Sequence, residues 1–198
     1  MEPLPREFFA VDSRVLAPVV LNKLLVRGDR VGRIVEVEAY AGGADPASHA
    51  FRGRTARNAT MFGPGGHLYV YFTYGMHFCS NVVSGEDGEA MAVLLRGLTP
   101  LEGLDEMRAA RTRARTDADL CSGPGKLTQA LGIGRGFDGA DLVVGDRGVI
   151  VADDGTSPPE EPGVSVRIGL NQGAGDDLPW RFYVPGAVGL SRRGRSRA

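Results

Sequence analysis

The sequence predicts a single α/β domain in which strands alternate with capped helices, and three observations carry that expectation. At 198 residues, 42% hydrophobic and 24% charged, the chain has the size and balance of one globular domain with a substantial core. Arg33–Tyr40 and Leu68–Thr73 alternate with the two-residue period of a strand. Asp12-Ser13, Thr99-Pro100 and Ser122-Gly123-Pro124 are the residue types that start helices.

Taken in order, Asp12-Ser13 caps a helix predicted over 14–26, with Leu16, Val20 and Leu24 at helical spacing. Pro18 blurs its start, because a proline beyond the first turn removes a backbone hydrogen bond. Gly28-Asp29 is a turn, and a strand follows over 31–40. Strict alternation there puts Val35, Val37 and Ala39 on one face and Ile34, Glu36, Glu38 and Tyr40 on the other. Residues 41–67 read as one long loop, with Asp45-Pro46 capping a single turn at 47–49 and Gly63-Pro64-Gly65-Gly66 breaking the chain. Leu68–Val83 has the strongest strand signal and bends as a hairpin at Tyr74-Gly75. Met91–Arg96 is the next strand.

Thr99-Pro100-Leu101-Glu102 combines a capping box with proline at the first helical position. It predicts a helix to about Arg113 that buries Leu101, Leu104 and Met107. Another helix starts near Ser122 and stops at Gly132. Residues 141–151 and 164–171 read as strands around an acidic, proline-containing loop at 153–163, and Trp180–Val184 as the last strand. The domain is expected to span 1–184. Residues 185–198, with four arginines and no hydrophobic pattern, read as a disordered tail.

Charge and chemistry narrow the function. No apolar run approaches the ~18 residues of a membrane span, and the N-terminus lacks a signal-peptide layout. Two cysteines, Cys79 and Cys121, make no disulfide framework, which points to a reducing, cytoplasmic setting. Residues 153–177 hold six carboxylates against Arg167 alone, while arginines cluster at 52, 54 and 57 and again at 108, 111, 113 and 115. Such clusters fit a polyanion or a solvated face equally well.

Gly123-Pro124-Gly125-Lys126 fails the phosphate-loop spacing, since Leu120 and Leu127 occupy the first-glycine and Ser/Thr positions. His77, Cys79 and His49 lack zinc-ligand spacing, and no nucleophile elbow is present. What remains is Glu38, Tyr40, His49, the tyrosines of 69–74 and Arg96. A carboxylate, aromatic rings and an arginine suit attack of water on a sugar carbon through a cationic transition state. The carboxylate would activate the water, and the rings would sandwich a flat, electron-poor group.

At these residues the sequence resembles the alkyladenine (N-methylpurine, 3-methyladenine) DNA glycosylases of the animal and bacterial type. The match runs from about Leu16 to Val184. It includes Ile34–Tyr40, Arg57-Asn58, Met61-Phe62, Leu68–Tyr71, Tyr74–Met76, Asn81, Val93–Arg96, Pro100–Leu104, Leu120–Pro124, Lys126-Leu127 and Arg181–Val184. The resemblance implies a curved antiparallel sheet flanked by helices, with a protruding β-hairpin that enters DNA. It makes Glu38 the general base, with Arg96 and the main-chain carbonyl of Ile168 holding the water. Tyr40, His49 and Tyr71 would stack on the flipped base, with a backbone hydrogen bond from His49. Asn81 would test the purine edge, and Tyr74 would fill the gap in the duplex. Arg52, Arg54, Arg57 and Lys126 are the residues expected to meet phosphates.

The implied partner is double-stranded DNA holding a damaged purine, acted on by a monomer at the nucleoid without cofactor or metal. The sequence departs from the family in its acidic 153–163 loop, in His77 where some relatives carry Tyr, and in having no long N-terminal extension. Two other classes stay open. A nucleosidase would need neither Tyr74 nor the arginine clusters. A non-catalytic nucleic-acid-binding module would have no use for Glu38 beside phosphates.

Overall fold

The structure, a computed structural model, describes residues 2–191. Its strands are β1 (Glu2–Pro3), β2 (Leu24–Arg27), β3 (Arg30–Tyr40), β4 (His67–Thr73), β5 (His77–Ser84), β6 (Met91–Glu102), β7 (Ala140–Asp141), β8 (Val149–Asp153), β9 (Gly163–Ser165) and β10 (Arg181–Tyr183). The helices are α1 (Arg6–Phe9), α2 (Ser13–Val19), α3 (Leu104–Ala110), α4 (Asp117–Leu120) and α5 (Pro124–Leu131). The strands form one curled antiparallel sheet in the order β1-β8-β2-β3-β6-β5-β4-β7. The long β3 is its axis. One edge pairs with β6, and the other pairs first with β2 and then with β10, which carries β9.

Alternation sorts the two faces of this sheet. Val37 and Ala39, Val93 and Leu95, Leu68 and Val70 turn to a core closed by Leu16 and Ala17 of α2, Val20 just after it, and Leu127, Ala130 and Leu131 of α5. Each of these larger side chains stabilises the fold by roughly 1.5–3 kcal/mol on burial. The opposite face carries Tyr69, Val83 and Ala92, covered by Ala50 and Met61 of the 41–67 loop. The site lies on that second face.

Three sequence expectations give way to sheet pairing. The helix predicted over 14–26 ends at Val19, one residue past Pro18. Asn22 takes a positive φ of 66°, and Leu24–Arg27 becomes a strand held between β3 and β8. Leu24 and Leu25 suit either element locally; two strand partners decide it. The helix predicted from Thr99 is likewise preempted. β6 runs through Thr99–Glu102, paired with Val31–Arg33. The Thr99 hydroxyl donates to the Val188 carbonyl instead of capping a helix, Leu101 is exposed, and α3 begins only after Gly103, which has φ 69°.

The third change is in β3. Ile34 and Val37 lie in the same core although they are three positions apart, where strict alternation would put them on opposite faces. Val35 has no register partner on β6, so this extra residue reverses the alternation and sends Ile34 inward. Elsewhere the strand expected at 141–151 splits into β7 and β8, and the strand expected at 164–171 shrinks to β9. The hairpin at 74–75 and the helix stop at Gly132 lie where the sequence put them. Residues 188–191, inside the expected tail, lie along β6 with Gly189 buried; residues 192–198 lie outside the described residues. Among the described residues, no helix is long and apolar enough to cross a membrane.

Candidate active site

Pairing register builds the site as a row. Arg181 on β10, Glu38 on β3, Leu94 on β6, Asn81 on β5 and Tyr69 on β4 are successive cross-strand partners, so their side chains share one face. Above the row opens a cavity of about 320 Å³ lined by Tyr40, His49, Tyr69, Tyr71, Tyr74, Asn81, Arg96 and Ile168 among others. That volume is at the small end of ligand pockets, which run from roughly 300 to 1,000 Å³.

Glu38 is the floor. It is fully buried, and two hydrogen-bond donors and one guanidinium converge on its carboxylate. The Ile168 amide donates to Oε1 at 2.7 Å, Arg96 Nη1 lies 3.1 Å from the same oxygen, and the Tyr40 hydroxyl donates to Oε2 at 2.9 Å. The contact seen from Ile168 is thus through its amide. Burial, then the charge of Glu38, holds the Tyr40 phenol well above the ordinary tyrosine range, so it stays a donor.

Arg96 reaches this position because it is the extra residue of a bulge in β6: Leu95 pairs with Val37 and Gly97 with Glu36, leaving Arg96 unpaired between them. Burial works against its charge, but Glu38 and Glu36 outweigh it and raise the guanidinium further.

The walls are aromatic. His49 and Tyr71 meet edge to face with centroids 4.5 Å apart, and His49 Nδ1 pairs with the Tyr69 hydroxyl at 3.0 Å. Burial, then the nearby Arg57, lowers the His49 pKa, so its ring is neutral at neutral pH; burial pushes Tyr69 up to about 12. The His49 carbonyl accepts from Asn58 Nδ2 at 2.8 Å, while its amide finds no acceptor among the described residues. Asn81 donates to the Tyr69 carbonyl at 3.2 Å.

Tyr40 is backed by Arg167, whose guanidinium stacks 4.7 Å from the ring and forks onto Asp45 at 2.6 and 2.9 Å. Arg167 also lies 5.0 Å from Trp180, so the ring is fixed from behind.

Tyr74 stands apart. It is 83% exposed at the hairpin tip, where Tyr74 and Gly75 both take positive φ (50° and 66°) and the Met76 amide donates to Thr73. Two positive φ values are the requirement of a type I′ turn, and a tyrosine is an unfavourable residue for it. Arg52, Arg54 and Arg57 are exposed on the loop beside this face, and Arg57 lies 5.7 Å from the Tyr71 ring. Lys126 instead caps locally onto Ser122 Oγ at 3.0 Å and does not line the cavity.

The sequence reading gave no site role to Glu36, Arg181, Asp45, Arg167 or Ser191. Glu36 shares the strand face of Glu38 by alternation. It is fully buried, and accepts from Arg96 Nε at 3.0 Å, Arg181 Nε at 2.7 Å and Ser191 Oγ at 2.6 Å. Arg167 did carry a signal, as the single base in a run of acids. Among the described residues no three histidines, cysteines or carboxylates group as metal ligands. Cys79 and Cys121 are free, buried thiols.

Comparison with known proteins adds the context of this geometry. Residues 7–188 match the family model described as methylpurine-DNA glycosylase. A Burkholderia lata protein is 57% identical over 184 residues, covering 92% of this chain and 88% of the relative. One from Streptomyces avermitilis is 47% identical (92% and 87%), and one from Methanoculleus marisnigri is 48% identical (96% and 99%). Each bears the name "Putative 3-methyladenine DNA glycosylase".

Proposed function

The chain belongs to the methylpurine-DNA glycosylase family and is a DNA N-glycosylase of base-excision repair, and on that premise we propose how its own residues do the work. The substrate is duplex DNA containing an alkylated purine, with deaminated purines as a further class. The damaged nucleotide leaves the stack, at a cost of a few kcal/mol, and its base enters the cavity between Tyr40, His49 and Tyr71. Aromatic faces attract the positive charge of a methylated purine more than the neutral normal base. The unpaired His49 amide and Asn81 are the polar groups available to its edge.

Glu38 then takes a proton from water as that water attacks the sugar carbon. The observation that carries this reading is the donor count on Glu38. Oε1 takes the Ile168 amide and faces the Arg96 charge, whereas among the described residues Oε2 accepts only from Tyr40, which leaves an acceptor position for water. As the glycosidic bond stretches, the sugar becomes cationic, and the same carboxylate stabilises it. The purine departs and an abasic site remains.

Tyr74 is the wedge. Exposed on a strained turn, its ring replaces the stacking lost by the flipped base. Arg52, Arg54 and Arg57 meet backbone phosphates, and Lys126 is a weaker candidate given its bond to Ser122. The protein acts as a monomer where DNA is, at the nucleoid. It cuts no strand, because a lyase step needs an amine near the sugar. Lys23 is tied to Asp153 at 2.6 Å, and neither lysine lines the cavity.

The test is a gel assay of duplexes carrying 3-methyladenine, 7-methylguanine, hypoxanthine or ethenoadenine. Excision should leave alkali-labile sites without direct strand cleavage. Hydrolysis of free nucleosides with intact duplexes untouched would contradict the reading and favour a nucleosidase.

A further inference from the structure

We propose that Glu36 and Ser191 are positioning residues: together they hold the Arg96 guanidinium so that it approaches Glu38 through Nη1 alone, which keeps Glu38 Oε2 open to water. The inference rests on Glu38 being the base. It starts from the division of one guanidinium among three partners. Arg96 Nε donates to Glu36 Oε1 at 3.0 Å, Nη1 lies 3.1 Å from Glu38 Oε1, and Nη2 donates to Ser191 Oγ at 3.3 Å. An arginine beside a single buried carboxylate would instead fork onto both of its oxygens, the stronger geometry. That fork would occupy the acceptor position the water needs. Glu36 prevents it by claiming Nε.

Glu36 can do so only because its own charge is held in place. Arg181 Nε lies 2.7 Å from Oε1, and Ser191 reaches Oε1 with its hydroxyl and Oε2 with its amide. Burial alone would raise the Glu36 pKa, but Ser191, Arg181 and Arg96 together bring it below the ordinary carboxylate value. The Ser191 hydroxyl has one proton and spends it on Glu36, so towards Arg96 it can only accept. The directions of all these bonds agree.

Ser191 comes from the C-terminal segment, and the fold has a built seat for that segment. Thr99 Oγ1 donates to the Val188 carbonyl. A Cβ on Gly97 would lie 2.5 Å from the Gly189 carbonyl, and a Cβ on Gly189 (φ 95°) would collide with the Leu98 carbonyl. Glycine at both positions lets the segment lie flat on β6 and bring Ser191 to Glu36. The 188–191 segment therefore completes the water site from behind.

The experiment measures single-turnover excision and duplex affinity for the full chain and for Ser191→Ala, Ser191→Thr, Gly189→Ala and Glu38→Gln, well below their melting temperatures. Ser191→Ala should excise on the order of 10-fold more slowly with unchanged DNA affinity, the mark of lost alignment rather than lost binding. Ser191→Thr, which restores the hydroxyl, should recover most of the rate. Gly189→Ala, outside the site, should slow excision by lifting the segment. Parental rates in both Ser191→Ala and Gly189→Ala, with Glu38→Gln inactive, would overturn the positioning role and leave the base assignment standing. A rate loss that tracks melting temperature and disappears on cooling would overturn it too. A parental rate in Glu38→Gln would remove the base assignment itself.

Discussion

Glu36 and Glu38 sit two residues apart on one strand with nearly the same burial, and their partners alone separate their roles. Glu38 meets one side-chain cation and lies against the cavity, in contact with three of its lining residues. Glu36 meets two arginines and Ser191. Its loss is therefore a matter of stability first. Glu36→Gln leaves Arg181 and one arm of Arg96 uncompensated in the interior, a change expected to cost about 3–5 kcal/mol in denaturant unfolding. A loss under 1 kcal/mol would mean that the buried network carries little of the fold.

His49 offers a pH test at the same scale. Its folded pKa lies below the ordinary 6.5, first through burial and then through Arg57. The unfolded chain thus gains a proton that the folded ring resists, and stability is lost as pH falls through about 6.5. The difference in stability between parent and His49→Gln should accordingly change with pH below that point and stay flat above it. Alternation in the sequence made Glu38 and Tyr40 legible as neighbours on a face. It could not show Arg96, because an arginine in a bulge looks like any other residue of a strand.

Among the elements, the β4–β5 hairpin was the most legible, since alternation, aromatic content and the Tyr-Gly tip agree with one another. The same agreement exposes its cost. An L-residue at positive φ loses about 1–2 kcal/mol, and at 83% exposure the Tyr74 ring packs too little to offset it. Tyr74→Asn should relieve part of that strain and raise stability by up to about 1 kcal/mol, a few degrees in melting temperature. It should also slow excision of lesions that still pair well, with little effect on a lesion opposite an abasic gap, where flipping is already cheap. Equal slowing on both substrates would assign the ring to the pocket instead. The β2 and β6 misreadings have the opposite origin. Local signals at 14–26 and 99–102 favoured helix, and neither could register that β3 offers a free edge to each segment.

For the whole molecule, the sheet is the frame and the 41–67 loop is the instrument. One face of the sheet is closed by α2 and α5, so the loop, the 167–170 turn and the C-terminal segment can all gather on the other. Composition foretold one domain, while acids and bases pair across the fold, as Arg108 does with Asp105 and Asp117. The acidic loop folds back onto the body, with Asp153 on Lys23 and Asp154 on Arg33 at 2.6 and 2.7 Å, and leaves Arg52, Arg54 and Arg57 exposed beside the cavity. Replacing Arg52 and Arg54 with Ala should weaken damaged and undamaged duplexes alike and flatten the salt dependence of binding by about one unit of slope per lost phosphate contact. An unchanged slope would move the DNA path elsewhere. Ser191 was illegible for a reason of scale: a serine in a glycine- and arginine-rich tail gains its meaning only once β6 and Glu36 are beneath it.

The most direct measurement is single-turnover excision by Glu38→Gln on a duplex holding one 7-methylguanine, with affinity for the same duplex measured alongside. The amide keeps the shape and the bond from the Ile168 amide but cannot accept a proton from water. Excision should fall by at least about 10²-fold while binding is retained, the size of a general-base contribution. A rate close to that of the parent, with DNA still bound, would contradict the account at its centre.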